Sequence, residues 1–324
     1  MSGWHADNPF TEEFLGPLAD PDLDATSYQS YTSDDELLRR VRAMHERFDG
    51  IAPSPGRILP GDGSTGLIAT FFFWLLRQGT SEVHYVPTVH DTFYYFFEQW
   101  RMSVRRASQR HPFEPGFALD LPSRTSVLFI ADPTWYVGRS LAAELVEEIA
   151  DWQRRTGSIV FVDGTWQYLQ WDGSRFERSS RLAAEYTVRL VGPTKFLGLN
   201  GHRFSYLLVP ERLFAELADV HENLHGSTSV LNLAFARQAI NVMLSEQANR
   251  RLTEHVRDVY RSLIERGDIE TEVPPHCGLY CFARPTRNLE GCLTMGSEFY
   301  EIDGYQDYVR VNLLGGDQLD ALSS

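Results

Sequence analysis

Five short runs rich in β-branched and aromatic residues recur through the middle of the chain, with helical patterns between them. This alternation constrains the fold more than any other feature, because it builds a mostly parallel sheet with helices packed on its faces. Several runs are apolar throughout, as strands buried on both faces must be. The pattern predicts an α/β fold with interior strands at residues 82–86, 126–131, 158–163, 187–191 and 204–209.

The two ends of the chain have a different pattern. Near the start, Ser33 and Glu36 form a capping-box pattern followed by apolar residues at helical spacing, which predicts a helix over 35–48. From about residue 210 to 265 the chain is strongly helical, and two short strands follow. We therefore expect a large α/β domain and a smaller α+β domain that share a ligand cleft, formed by residues 49–211 and by residues 1–48 with 212–324.

Charge and composition exclude several functional classes. The formal net charge of −14 repels nucleic acid and anionic lipid, so we expect a small-molecule ligand and no nucleic-acid or membrane partner. The most apolar stretch, 67–76, is far shorter than the roughly 20 residues that cross a bilayer. The three cysteines suit neither a disulfide framework nor a metal site, and the N-terminus lacks a signal-peptide pattern. These features favour a cytoplasmic protein.

A lysine follows the strand at 187–191 in a Gly-Pro-Thr-Lys sequence that ends at Lys195, and Arg203 comes eight residues later. An isolated lysine of this kind is usually an exposed surface residue. The segment resembles the cofactor-lysine loop of fold-type-I, aspartate-aminotransferase-like enzymes, which use pyridoxal 5'-phosphate (PLP). The resemblance implies that Lys195 holds PLP as a Schiff base and that Arg203 binds its phosphate. It also implies a PLP-transferase-like three-layer sandwich around a mostly parallel mixed sheet.

An aspartate ends the strand at 158–163, and Gly-Thr-Trp follows it. Strand-end aspartates often cap the next turn, and this role is open for Asp163. The pattern is also similar to the family's strand-terminal Asp-x-x-Tyr, with Trp166 in place of the tyrosine. The resemblance implies that Asp163 pairs with the pyridine nitrogen of PLP, which keeps the ring protonated and makes it an electron sink.

A glycine-rich turn precedes the apolar helix that begins near residue 67. Its residues Gly63, Ser64 and Thr65 resemble the family's Gly-Ser-Thr phosphate loop, where free backbone N–H groups at a helix start attract an anion. Any glycine-rich turn before a helix has this pattern, so its position along the chain is what supports the likeness. The resemblance implies that these three residues bind the cofactor phosphate.

Four more residues fall at positions that the family uses. His90 follows a strand and a proline turn, where the family places a planar residue that stacks on the cofactor ring; otherwise it is an ordinary loop histidine. Arg310 lies on the last predicted strand, and the resemblance implies that it binds the substrate α-carboxylate, the alternative being an exposed salt bridge. The resemblance implies a phosphate contact from Tyr31 across a subunit boundary, with Tyr28 as the alternative. Thr194 would bind the phosphate in place of a serine that the chain lacks at position 192.

Three positions depart from the family's pattern. Trp135 replaces the asparagine, and Trp166 the tyrosine, that hydrogen-bond the 3-oxygen of the cofactor ring. An indole N–H donates a hydrogen bond but accepts none, and two indoles fill more space than the usual pair. Gly192 stands where a serine commonly binds phosphate. These departures favour a specialised enzyme of secondary metabolism over a housekeeping transaminase.

The resemblance covers the chain from about residue 31 to 314. Within the family, the chain is most similar to histidinol-phosphate-aminotransferase-like members. It implies a homodimeric PLP-dependent aminotransferase acting on an L-amino acid and a 2-oxo acid. The same residues would serve elimination, cyclisation or oxidation of an amino acid, and a non-catalytic PLP-fold binding protein is a further alternative.

A zinc-protease pattern, His-Glu-x-x-His, offers an alternative of another class. His221, Glu222 and His225 match it, which predicts a zinc hydrolase. Gly226 directly after the pattern would end such a helix, and no recognisable motif supplies a third ligand.

Overall fold

A seven-stranded mixed sheet is the largest element of the computed structural model, which describes residues 30, 32, 34–171, 178–197, 202–245, 247–286 and 295–314. Its order is β1-β7-β6-β5-β4-β2-β3. All neighbouring strands from β6 to β3 pair in parallel, whereas β7 runs antiparallel to both β6 and β1. The strands are β1 (Ile58–Gly61), β2 (Glu82–Tyr85), β3 (Ser103–Arg106), β4 (Val127–Ala131), β5 (Ile159–Gly164), β6 (Thr187–Val191) and β7 (Ser205–Leu208).

All five strands predicted from the sequence form within about one residue of the predicted bounds, and all lie inside the sheet. The two edge strands were not predicted. β3 is polar with alternating exposure, as an edge strand can be, and so lacks an apolar run. β1 has four residues including Pro60, which is tolerated at an edge because proline has no N–H to donate to a second neighbour.

α-Helices cover both faces of this sheet. On one face, Phe71 and Phe72 of α2 pack with Phe129 of β4 and Phe161 of β5 in an aromatic core that α3 and α6 extend. On the other face, α4 packs against alternate residues of β4 and β5. None of the described helices combines the length and hydropathy that crossing a bilayer requires. The helices are α1 (Asp35–Asp49), α2 (Ser64–Arg77), α3 (Asp91–Gln99), α4 (Ala143–Thr156), α5 (Pro193–Phe196), α6 (Glu211–His225), α7 (Val230–Leu244) and α8 (Gln247–Glu265).

A second, antiparallel sheet of four strands follows α8 in the chain. Its order is β10-β11-β9-β8, and β9 and β11 are the strands predicted near residues 279–283 and 308–313. Its apolar residues share one buried cluster with α1, α7 and α8. The fold is therefore α/β with a smaller α+β part, as predicted, while the domain boundaries stay a prediction. The strands are β8 (Ile269–Glu270), β9 (Tyr280–Pro285), β10 (Met295–Gly296) and β11 (Val309–Asn312).

The helix predicted at 35–48 is α1, but its N-cap is Asp34 and not the predicted Ser33. Oδ1 of Asp34 accepts a 2.7 Å hydrogen bond from the backbone N–H of Leu37. Oδ2 accepts a 2.5 Å hydrogen bond from Arg237 of α7, which ties the start of α1 to that helix. A carboxylate also interacts favourably with the helix dipole here, which a serine hydroxyl does not match. Ser33 itself lies outside the described residues.

Candidate active site

Polar side chains converge where the parallel strands β4, β5 and β6 end. Ala131 pairs with Asp163, and Asp163 with Leu190, so the segments after these strands meet at one edge of the sheet. They border a cavity with about 680 Å³ of empty space, its open mouth included. The lining residues are Ser64, Thr65, Ile68, His90, Thr92, Trp135, Asp163, Thr165, Trp166, Lys195, Arg203, Tyr280 and Arg310.

Asp163 supplies a buried carboxylate to this cavity. Its side chain is held in place by Thr165, whose backbone N–H and Oγ1 hydroxyl both donate to Oδ1, at 3.1 and 2.8 Å. The aspartate therefore does cap the turn after β5. Within the described residues no hydrogen bond engages Oδ2, so this oxygen can accept one from a ligand.

Lys195 lies on α5, directly after β6, and its side chain is half-buried in the cavity wall. Burial lowers the pKa of its amine; the positive charge of Arg203 adds to this, and the carboxylates of Asp163 and Asp91 oppose it. Nζ lies 5.8 Å from the ring centroid of Trp166. A lowered pKa increases the fraction of neutral amine, the form that attacks a carbonyl carbon.

The start of α2 borders the cavity next to Arg203. Gly63 is the N-cap, with φ at +91°, and a Cβ there would lie 2.6 Å from Nη2 of Arg203. Both the backbone conformation and the close guanidinium therefore require glycine. Free N–H groups at a helix start, the hydroxyls of Ser64 and Thr65, and an arginine together suit a phosphate group.

Thr194 and Gly192 flank the lysine without lining the cavity. Thr194 is buried on α5 next to Lys195. Gly192 packs against Thr165, so that a Cβ at position 192 would lie 3.2 Å from the Thr165 methyl group. The serine that the family commonly carries here would be crowded in this chain.

Three aromatic rings form another part of the cavity wall. The indoles of Trp135 and Trp166 are nearly parallel, with centroids 6.5 Å apart and an interplanar angle of 15°. The Tyr280 ring meets both edge-on, at 77° and 78°. The guanidinium carbon of Arg310 lies 5.0 Å from the Trp135 ring and 4.8 Å from the Tyr280 ring. These cation–π contacts fix the orientation of a buried cation at the cavity wall.

Trp135 also brings a hydrogen-bond donor without a partner. Its Nε1 is buried and has no hydrogen-bond acceptor among the described residues. The turn that carries it packs tightly on the segment of Tyr280: Gly138, at φ +73°, leaves no room for a Cβ beside the carbonyl oxygens of Tyr280 and Cys277. Because buried donors are normally satisfied, the indole N–H is suited to a ligand oxygen.

His90 caps α3 and lines the cavity. Its Nδ1 accepts a 3.3 Å hydrogen bond from the backbone N–H of Thr92 and also contacts the carboxylate of Asp91. Hydrogen bonding to His90 holds the pKa of Asp91 below its ordinary value. The imidazole is tilted by 40° from the Trp135 indole, with centroids 5.7 Å apart. Its position allows it to contact a planar ligand.

The structure brings most of the predicted site residues together. Those that line the one cavity are Ser64, Thr65, His90, Trp135, Asp163, Trp166, Lys195, Arg203 and Arg310. Gly63 adjoins Arg203, Thr194 lies outside the cavity wall, and Tyr31 and Tyr28 lie outside the described residues. Four lining residues were not predicted: Ile68, Thr92, Thr165 and Tyr280. The first three lie within a few residues of predicted ones, whereas Tyr280 arrives only through tertiary packing.

The His-Glu-x-x-His pattern lies at the end of α6. Nδ1 of His221 forms a 2.9 Å hydrogen bond with Oγ1 of Thr70, and Nε2 of His225 forms a 3.2 Å hydrogen bond with the carbonyl of Gly66. No three His, Cys, Asp or Glu side chains among the described residues are arranged to hold a metal ion. The geometry therefore gives no support to the zinc hydrolase alternative.

Several solved structures that share this fold are aminotransferases. AspB from Helicobacter pylori matches with a TM-score of 0.79 at 13% identity, over 98% of this chain and 88% of that one. N-Succinyldiaminopimelate aminotransferase from Mycobacterium tuberculosis gives 0.77 at 19% identity, over 99% and 90%. The methionine aminotransferase YbdL from Escherichia coli gives 0.77 at 16% identity, over 97% and 88%. At these identities the likeness establishes the fold and leaves the substrate open.

Sequence comparison identifies the family. No curated protein sequence matches the chain closely enough to count as a relative. The family model for aminotransferase class I and II matches residues 21–314, a range that contains every side chain of the cavity described above. Enzymes of this family use PLP and act on amino and oxo acids. The chain therefore belongs to the aminotransferase class I and II family.

Proposed function

We propose that this protein is a PLP-dependent aminotransferase that moves an amino group between an L-amino acid and a 2-oxo acid. The observation that carries this proposal is the single cavity lined by Lys195, Asp163 and Arg203. These side chains supply an amine, a carboxylate and a guanidinium, which complement the aldehyde, the ring nitrogen and the phosphate of PLP.

The residues present fit PLP at both ends of the cavity. Arg203 and the start of α2 would hold the phosphate, since Gly63 leaves room for the guanidinium beside the helix N–H groups. Asp163 would pair with the ring nitrogen. Nε1 of Trp135, which lacks an acceptor within the described part of the chain, would donate to a ring oxygen. When bound, PLP supplies an aldehyde that condenses with amines and a ring that withdraws electrons.

Lys195 would have two tasks. Its amine would bind the cofactor aldehyde covalently, which its lowered pKa favours. With substrate bound, Nζ of Lys195 would accept the proton from the substrate Cα and would be the group that releases it again, while the cofactor would supply the electron-withdrawing ring. Because burial lowers its pKa, this amine releases a proton more readily than an exposed lysine does.

Arg310 would bind the substrate α-carboxylate. Its guanidinium is buried and contacts the rings of both Trp135 and Tyr280, so its fork is oriented before substrate arrives. Fixing the carboxylate decides which bond at Cα faces Lys195, and therefore which bond breaks. His90 would stack on the cofactor ring, as the resemblance implies.

A role in specialised metabolism is part of the proposal. The Trp135 and Trp166 indoles and the crowded Gly192 position distinguish this cavity from the family's usual pattern. Large rings at the place of smaller polar side chains reshape the space beside the substrate. We expect a narrow substrate range and poor activity on common amino acids with 2-oxoglutarate.

We further propose a homodimer in which Tyr31, outside the described residues, reaches the partner's phosphate site. Exposed apolar residues on α2, α3 and α7 support an interface: Phe73 and Tyr95 are 42% and 59% exposed, and Leu231 is 75% exposed. Large apolar side chains that are exposed in one subunit can be buried by association. A cytoplasmic location fits the buried thiols of Cys277 and Cys281.

The test is to add PLP to the purified protein, follow its absorption spectrum, and then supply a panel of amino acids with several 2-oxo acids. The proposal predicts a spectral change on PLP addition and, for at least one pair, amination of the oxo acid detected by mass spectrometry. Products of elimination, cyclisation or oxidation would instead assign another PLP reaction. A spectrum that no amine alters would favour the non-catalytic alternative.

A further inference from the structure

A second cavity lies near the start of β6, away from the strand end that leads to Lys195. It has about 430 Å³ of empty space, solvent at its mouth included, and lies between α1, the turn at Pro55–Arg57 and β6. Its polar wall includes Asp49, Arg57 and Arg189, and its apolar wall includes Leu182 and Leu208. Neither the family resemblance nor the proposed reaction uses these residues.

A buried polar network backs this cavity. Oδ2 of Asp49 is bonded to Nδ1 of His45 at 2.7 Å and to Nη2 of Arg189, and the Tyr168 hydroxyl donates to it at 3.3 Å. Nε2 of His45 bonds the Tyr206 hydroxyl at 2.8 Å. All of these contacts use only one carboxylate oxygen and one guanidinium nitrogen of the Asp49–Arg189 pair.

The other two atoms of the pair lack partners. Oδ1 of Asp49 and Nη1 of Arg189 are buried without a hydrogen bond to any described residue. The two side chains are 2% and 5% exposed, respectively. A buried charged group with an unsatisfied atom is costly, so native structures usually provide a partner from protein, water or ligand. Both residues line the cavity, so the missing acceptor and donor can come from a molecule bound there.

Arg57 adds a second positive charge. Its Nε and Nη2 donate to the backbone carbonyls of Val209 and Ala184, each at 3.0 Å. No carboxylate of the described residues forms an ion pair with it. Burial, and next the charge of Arg189, lower its pKa, whereas the carboxylates of Glu211 and Glu185, which do not line the cavity, raise it. The cavity thus places two guanidinium groups against the single carboxylate of Asp49, and this excess of positive charge favours an anionic group.

We propose that this cavity binds a small carboxylate that has a hydrogen-bond donor on the adjoining carbon, as amino acids and 2-hydroxy acids do. The carboxylate would accept from Arg57 and Nη1 of Arg189, and the ammonium or hydroxyl would donate to Oδ1 of Asp49. The side chain of the ligand would face Leu182 and Leu208. This site is separate from the active-site cavity, and the proposal does not rest on the aminotransferase reaction.

The experiment is isothermal titration calorimetry with L-alanine, L-lactate and propionate, which share one carbon skeleton and differ in the donor on the second carbon. An Arg310→Gln background removes the arginine proposed to bind carboxylate in the active site. We expect L-alanine or L-lactate to bind about tenfold more tightly than propionate, because propionate leaves Asp49 unsatisfied. Propionate binding as tightly as both others, or no heat from any of the three, would overturn the proposal.

Two variants in the same background locate the site. Arg57→Gln should weaken binding about tenfold or more, because it removes a charged donor. Ala184→Leu should weaken binding to a similar extent, because the larger side chain fills the cavity while every charge is retained. Loss of the Arg57 bonds to Val209 and Ala184 can prevent the Arg57→Gln protein from folding, which circular dichroism would reveal. In that case the Ala184→Leu variant provides the test. Arg261→Gln, an exposed arginine on α8, is the matched control. Unchanged affinity in a folded Ala184→Leu protein would contradict the assignment. No turnover is measured, so failure here leaves the aminotransferase proposal untouched.

Discussion

Gly192 faces Thr165 so closely that a Cβ at position 192 would lie 3.2 Å from the threonine methyl group. The same threonine donates a 2.8 Å hydrogen bond from Oγ1 to Asp163. A side chain at position 192 therefore presses on the residue that orients the buried carboxylate. This contact explains why the chain lacks the serine that the family commonly carries there.

Gly192→Ser should destabilise the protein by about 1 kcal/mol and weaken PLP binding, because the added atoms displace Thr165. Thermal unfolding and PLP titration measure the two effects. Thr165→Ser removes the methyl group but keeps the hydroxyl, so the double variant should recover most of the loss. Equal losses in the single and double variants would show that the contact is not the cause.

His90→Ala should weaken PLP binding about fivefold to tenfold, since a stacked ring contributes about 1 kcal/mol. His90→Phe keeps a planar ring and should bind PLP nearly as well as the parent protein. Fluorescence titration with PLP measures both. If His90→Phe binds PLP as poorly as His90→Ala, the ring does not act by stacking.

Trp135→Phe should keep the ring but lose the Nε1 donor, and we expect PLP or substrate affinity to fall about fivefold. Trp152→Phe is the control, because the Nε1 of Trp152 already donates to the carbonyl of Pro122, away from the cavity. A Trp135→Phe protein that binds both ligands normally would show that the indole N–H has another partner.

Stability should fall on acidification because of buried histidines. Burial lowers the pKa of His111 from 6.5 to about 4, and its Nδ1 accepts from the Tyr136 hydroxyl. The unfolded chain therefore takes up a proton first, so this stabilisation is complete above pH 6.5 and is lost as the pH falls towards 4. The loss should be about 3 kcal/mol.

Urea unfolding at several pH values tests this expectation. His111→Gln removes the titrating group. Over this pH range, the slope of its unfolding free energy against pH should be smaller than that of the parent protein by the equivalent of about one proton. His221, with a pKa also lowered to about 4 by burial, stays in both proteins. An identical pH dependence in the two proteins would contradict the role of His111.

The sequence predicted the centre of the fold because doubly buried strands must be apolar along their whole length. The resemblance to the family's motifs, and not strand burial, pointed to Asp163 and Lys195, which the structure places near the end of β5 and shortly after β6. The edge strands β1 and β3 lack that signal, because one side faces no neighbouring strand and polar or proline residues are tolerated.

Other features depend on contacts between distant segments, which periodicity does not encode. Tyr280 reaches the cavity from β9 of the second sheet, and the turn at Gly138 packs against its backbone carbonyl. The cap of α1 moves from the predicted Ser33 to Asp34, whose carboxylate is bonded to Arg237 far along the chain. The unsatisfied atoms of Asp49 and Arg189 likewise result from the packing of α1 near β6, which joins distant parts of the chain.

Lys195 is the residue proposed to carry the cofactor. Borohydride reduction of the PLP-loaded protein, followed by peptide mass spectrometry, should find the phosphopyridoxyl group on the peptide that contains Lys195. The Lys195→Ala protein should show no covalent label and no amino transfer, although it should still bind PLP through Arg203 and Asp163. A label on another lysine, or transamination that persists in Lys195→Ala, would contradict the account.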